Sequence, residues 1–201
     1  MDGVPFLSQP PIMPGETFIY EFTPPDAGTF WYHPHMNSVK QLGMGLVGLI
    51  IVEEADPVHF DEEHALMLKH WHLDPQGQWK DLMIPRYSAR MGTPGEWGTV
   101  NGVHEPVYSL KAHATVRLRI ANVDNTITYP VAVEGAEAWV IAIDGNPVKT
   151  PVKLTQHKIG PGMRVDIGLV APKAGERVYV RQMKGKFPFP LCEFEVMSSE
   201  L

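Results

Sequence analysis

Short runs in which apolar and polar residues alternate, each cut off by glycine or proline, restrict this chain more than any other feature. Val116, Leu118 and Ile120 alternate with Arg117 and Arg119, and Val165, Ile167 and Leu169 with Arg164, Asp166 and Gly168. Val178 and Val180 alternate with Arg177, Tyr179 and Arg181, while Cys192, Phe194 and Val196 oppose Glu193 and Glu195. A side-chain period of two belongs to strands with one face on a core and the other turned outward. No stretch carries a convincing helical period. With 18 glycines and 19 prolines in 201 residues, the chain has turn formers enough for a break about every ten residues. The pattern predicts an all-β protein built as a Greek-key β-sandwich. Asp144-Gly145, at the end of the apolar run from Ala138 to Ile143, predicts a tight turn.

The chain divides near residue 60. Before it, Phe18, Tyr20 and Phe22 alternate with Thr17, Ile19 and Glu21 and read as a strand, followed by a Pro24-Pro25-Asp26-Ala27-Gly28 turn. Thr29 to His33 reads as the next strand, ended by Pro34. Residues 36–43 read as a short helix or turn, and Leu46 to Val52 as a strand apolar on both faces. An acidic connector follows, with Glu53, Glu54 and Asp56 on one side of Pro57 and Asp61, Glu62 and Glu63 on the other. Beyond it, Ala65 to His72 reads as a strand, Asp74-Pro75-Gln76-Gly77 as a turn, and Gln78 to Gly98 as a long loop with room for a small helix. A sandwich of this kind needs about 100 residues to close. Residues 61–201 suffice for a complete domain, and residues 1–60 for about half of one, which leaves an apolar face and strand edges uncovered.

The chemistry concentrates in Gly28-Thr29-Phe30-Trp31-Tyr32-His33-Pro34-His35. Trp31, His33 and His35 share a parity, so an extended backbone projects them to one side. Two imidazoles diverging from one short rigid segment can hold two adjacent metal ions, one nitrogen each, and copper suits imidazole well. The same spacing also occurs in histidine pairs that serve only as packed or solvated side chains.

The flanking residues add a resemblance. Upstream lie Asp2-Gly3-Val4-Pro5, Gln9-Pro10-Pro11-Ile12, Pro14-Gly15-Glu16-Thr17-Phe18 and Tyr20-Glu21-Phe22; downstream runs Gly43-Met44-Gly45-Leu46-Val47-Gly48-Leu49-Ile50-Ile51-Val52. In this order they resemble the surroundings of the second copper-ligand motif of multicopper oxidases. Thr99-Val100-Asn101-Gly102, Leu118-Arg119-Ile120-Ala121-Asn122 and Pro161-Gly162-Met163-Arg164-Val165-Asp166 resemble strings of that family's second domain. The resemblance implies a cupredoxin-like form of the sandwich. It also implies that His33 and His35 are metal ligands, each holding one copper of the type 3 pair within a trinuclear cluster. The family's other ligand motifs, an HxHG element, an HPxHxH element and an HCHxxxH element, are not found here, and Cys192 has no flanking histidine for a blue-copper site. The chain is therefore expected to be an internal piece of an oxidase, with residues 1–60 bearing the ligands and 61–201 free of copper. The implied partners are dioxygen and a phenolic or metal-ion reductant, in an enzyme that is periplasmic or secreted and able to oligomerise. Two imidazoles without the remaining ligands predict little or no oxidase activity for the chain alone. The competing reading is a non-enzymatic cupredoxin-like scaffold or weak copper-binding module.

The rest of the sequence mostly excludes. A formal charge of −6 and no basic stripe argue against nucleic acid. The longest apolar run is too short to span a bilayer, and Met1-Asp2-Gly3 opens no signal peptide. A single cysteine allows no intrachain disulfide and, by its parity, reads as a buried inert thiol. His70-Trp71-His72 is a second His-x-His, read as a solvent- or interface-facing strand pair without metal. His59, His64, His104, His113 and His157 lack a second ligand at a meaningful spacing and read as structural or solvated. No nucleophile–base arrangement or phosphate-cradling glycine loop stands out.

Overall fold

The computed structural model describes residues 3–90, 92–184 and 189–198; Asp2 of the lead-in string lies outside them. Two blocks of strands follow one another. In the first, β1 (Gly28–Tyr32) is followed by a short helix, α1 (Ser38–Gly43), and by β2 (Gly48–Val52). β1 and β2 pair antiparallel as a two-stranded sheet, Gly28 opposite Val52 and Tyr32 opposite Gly48. A Cβ at Gly48 would run into the Tyr32 ring, so this register requires a glycine.

The second block runs through β3 (Glu62–Trp71), a one-turn helix α2 (Pro85–Ser88), β4 (Trp97–Val100), β5 (Val107–Lys111) and β6 (Thr115–Asn122). It continues with β7 (Tyr129–Glu134), β8 (Ala138–Ile143), β9 (Asn146–Lys153), β10 (His157–Ile159), β11 (Arg164–Val170), β12 (Arg177–Gln182) and β13 (Phe189–Met197). One sheet has the order β4-β3-β6-β11-β8-β9, the other β10-β7-β12-β13-β5. The chain crosses between them at nearly every step from β6 to β12, the interleaving of a Greek-key sandwich. β3 lies parallel to β6 and β13 parallel to β5; the other pairs are antiparallel. The turn at Asp144-Gly145 has both residues at positive φ, 51° and 83°, and joins β8 to β9 with Ile143 opposite Asn146, as the Asp-Gly pair predicts.

The alternating residues meet between the sheets. Leu66, Leu68, Val116, Leu118, Ile120, Val165 and Ile167 from one sheet pack on Leu110, Val131, Val178, Val180, Phe194 and Val196 from the other. Each fully buried side chain of this size contributes roughly 1.5–3 kcal/mol. Exposed ion pairs such as Lys173–Glu176 contribute at most about 1 kcal/mol each, so the apolar layer holds the sandwich together. Cys192 lies in that layer, fully buried, as its parity implies; burial pushes its thiol up to about 12.

Three local expectations differ from the structure. Residues 17–22 form no strand: no described segment pairs with them in a backbone ladder, the contact they make with residues 3–9 runs through the Tyr20 side chain, and Phe18, Ile19, Tyr20 and Phe22 are exposed. β2 is half-buried rather than covered on both faces, with Ile51 exposed, because only one strand flanks it among the described residues. β6 departs the other way. Its outward face is covered as well, since the first block lies across it and leaves Arg117 only 5% and Arg119 only 2% exposed.

Candidate metal centre

β1 forms because Thr29, Phe30, Trp31 and Tyr32 are β-branched or aromatic and fit a pleated surface, and the ladder ends before Pro34. Asn37 then takes a left-handed conformation, φ 48°, and turns the chain into α1. His33 and His35 thus sit where a strand gives way to a turn. Their rings lie on one side and stack in series. Trp31 and His33 have centroids 4.1 Å apart with planes inclined by 19°, and His33 and His35 are 4.7 Å apart with planes inclined by 23°.

This stack restricts how the two rings can bind a metal. The ligating lone pair of an imidazole lies in the ring plane. Stacked rings with centroids 4.7 Å apart and planes inclined by only 23° have planes that meet well beyond the ~2 Å of a metal–nitrogen bond, so one ion does not lie in both. Two ions about 4 Å apart can each take one ring. Burial, opposed by a contact with the Pro34 carbonyl at 3.3 Å and helped by the charge of His35, holds His33 below its ordinary value of 6.5. The neutral ring that a metal requires is thereby favoured. The donor set fits a pair of copper ions with one imidazole each, and these residues supply two donors. Among the described residues no group of three or more His, Cys, Asp or Glu side chains converges on a metal position.

The second His-x-His is built differently. His72 is buried, 3% exposed, and held below its ordinary value mainly by burial; it lines a cavity of about 500 Å³ with Trp79, Lys80, Asp81, Tyr87 and Glu96. His70 is half-buried, its ring edge-on to Tyr129 at 5.6 Å and its Nδ1 facing the Gly95 amide at 3.3 Å. Both rings are therefore packed rather than turned to solvent, because the 78–98 loop folds back over the end of β3. His59, His104 and His113 are exposed, as expected; His64 is half-buried, packing its ring on Tyr108 and Phe194.

The structure also places near β1 a group of residues that sequence reasoning passed over. The Thr29 hydroxyl, fully buried, donates to Asp166 Oδ1 at 2.9 Å and accepts from Arg119 Nη1 at 3.0 Å. Arg117 donates to Asp166 Oδ2 through Nε at 3.0 Å and Nη2 at 2.7 Å, and reaches Glu54 Oε1 at 2.9 Å. Arg119 Nε donates to Glu63 Oε2 at 2.7 Å, and Arg164 Nε to the Thr29 carbonyl at 3.1 Å. The available signal was the pair of arginines on one parity of β6 facing the one acid of β11, which a half-buried strand would have left in water.

Comparison with known proteins bears on both blocks. Two family profiles, each described as multicopper oxidase, match residues 1–57 and 62–189. The chain belongs to the multicopper oxidase family. Its all-β fold is the cupredoxin-like one of that family of copper oxidoreductases. The iron transport multicopper oxidase FET3 of Saccharomyces cerevisiae is 34% identical over 148 residues, 72% of this chain and 23% of FET3. Laccase-1 of Botryotinia fuckeliana is 28% identical over 191 residues, 90% of this chain and 32% of the laccase. Among solved structures, a multi-copper oxidase from Pseudomonas thermotolerans superposes with a TM-score of 0.91 at 45% identity, over 100% of this chain and 48% of that one. The chain thus spans about a quarter of the length of FET3 and about half of the Pseudomonas chain. No helix among the described residues is long and apolar enough to cross a membrane.

Proposed function

We propose that this multicopper oxidase chain supplies two imidazoles, His33 and His35, to the type 3 copper pair of a trinuclear cluster. In this reading residues 1–60 are the ligand-bearing end of one cupredoxin-like domain, and residues 61–201 are a second, copper-free domain that supports it. Bound copper supplies one-electron chemistry, coupling oxidation of a phenolic or metal-ion reductant to reduction of dioxygen to water. The iron transport and laccase relatives support that range of reductants. The family resemblance points to a periplasmic or secreted enzyme.

One observation carries the reading: the His33 and His35 rings lie nearly parallel, 4.7 Å apart, on one side of the strand end. What the chain's own residues do follows from that. Trp31 forms the floor of the stack and holds the His33 ring from one side while His35 holds it from the other. The half-buried setting of His33 keeps a nitrogen lone pair available near neutral pH. Two imidazoles leave most copper positions to be filled by residues beyond this chain, so the chain alone has little or no oxidase activity.

The test is His33→Ala in the full-length oxidase. The expected result is loss of copper from the pair and no measurable oxygen consumption. Near-normal turnover with full copper occupancy overturns the assignment. A wild-type protein that binds copper yet never consumes oxygen with phenolic or metal-ion reductants favours a copper-binding module instead.

A further inference from the structure

The segment at residues 162–166 touches β1 at alternate positions. A Cβ at Gly162 would lie 3.4 Å from Trp31 Cζ2, an ordinary contact, so the indole edge rests on this glycine. Arg164 donates to the Thr29 carbonyl at 3.1 Å and holds its guanidinium over the Phe30 ring at 5.8 Å. Asp166 accepts from the Thr29 hydroxyl at 2.9 Å, and Arg119, directly opposite Asp166 on β6, donates to that hydroxyl at 3.0 Å. Arg164 and Asp166 share one face of β11, and Gly162, at φ 79° in the turn just before it, adds a third contact, so one short segment grips β1 at Trp31 and at both polar groups of Thr29. At the far end of the strand, Gly28 runs so close to the Gly145 carbonyl that a Cβ there would lie 2.5 Å from its oxygen.

We propose that Thr29, Arg119, Asp166 and Arg164 form a positioning clamp for the copper-ligating rings, acting through Trp31 as the platform of the His33–His35 stack. The inference rests on the reading that these two rings take copper. Inter-block adhesion alone would need no buried hydroxyl bonded to both an arginine and an aspartate, because an apolar side chain of the same shape would fill the space. The hydroxyl fixes the register of β1 along β11. Register is what a stacked ring two residues further on inherits, since each ring is seated on the one before it. Slippage of β1 would lift Trp31 off Gly162 and open the stack.

Thr29→Val in the full-length oxidase keeps the shape and removes both hydroxyl hydrogen bonds. Chelator competition should show copper at this pair bound roughly tenfold more weakly, the scale on which groups that orient metal ligands act. In Thr29→Val kcat should fall with the KM for the reductant unchanged, and Thr29→Ser should restore both copper affinity and kcat. Parent copper affinity in a folded Thr29→Val overturns the clamp. If that variant does not fold, Trp31→Leu decides: it leaves the clamp intact and removes the platform, so weakened copper binding supports the proposal and parent affinity overturns it. His33→Ala separates the two layers of argument. If it keeps its copper, the ligand reading fails; if it loses copper while Thr29→Val keeps it, only the positioning role fails.

Discussion

Replacing Asp166 by alanine should be among the most damaging single changes in this chain, and the structure says why. The carboxylate is 2% exposed and accepts four hydrogen bonds, from Arg117 Nε and Nη2, Arg119 Nη1 and the Thr29 hydroxyl. Removing it leaves two buried guanidiniums facing each other on adjacent same-face positions of β6. Their remaining acids, Glu54 and Glu63, sit at the edge of the interface, with side chains 26% and 40% exposed. Breaking a buried charge pair by deleting one partner costs about 3–5 kcal/mol, mostly the penalty on the charge left behind. For a protein of this size that corresponds to a fall in the unfolding midpoint of about 10 °C. Glu63→Gln removes a half-exposed partner of the same arginine and should cost no more than about 1 kcal/mol. Denaturant unfolding of the full-length protein, with both variants measured beside the parent, gives the comparison directly. A loss below about 1 kcal/mol for Asp166→Ala would show that the arginines reach water, and the buried-clamp reasoning would fail with it.

Two further outcomes follow from titration. Burial alone would raise Glu54, but the Arg117 hydrogen bond and the charges of Arg117 and Arg119 outweigh it and hold Glu54 below its ordinary 4.5. A carboxylate depressed in the folded state contributes stability that is fully present above 4.5 and is lost as pH falls through the lower folded value. Unfolding free energies measured on acidification should therefore drop less steeply in Glu54→Gln than in the parent, and equal slopes refute the pairing. Cys192, buried and pushed up to about 12, should resist thiol-specific alkylation in the native protein at neutral pH and label fully in denaturant. Rapid native labelling would show that β13 opens locally.

Much of the sandwich was legible in the chain. Each alternating run from Val116 to Val196 became a strand with its apolar parity inward, since the period of two is a local property of extended backbone. The hairpin at Asp144-Gly145 was equally local, because two residues tolerant of positive φ suffice to specify it. The strand expected at 17–22 shows the limit. Its alternation is genuine, but a ladder needs a partner backbone, and no described strand pairs with it. At the candidate centre, the shared parity of Trp31, His33 and His35 placed all three rings on one side. Their stacking, and with it the argument for one ion per ring, depends on side-chain angles that no spacing encodes.

What the sequence determined by itself, then, was which residues share a face: the core stripe of every strand, the turn between β8 and β9, and the common side of the two candidate ligands. What covers a face was decided only by tertiary packing. Arg117 and Arg119 read as the wet side of a strand, and they became the buried contact between blocks because β1 settles across them. The bond that joins Arg119 to β1 spans 90 residues, from Thr29 to Arg119, and the one that joins β1 to their shared acid, Asp166, spans 137. Periodicity is set by neighbours a few positions apart, whereas burial of the second face requires a distant segment to arrive. Only the folded chain brings that segment into place.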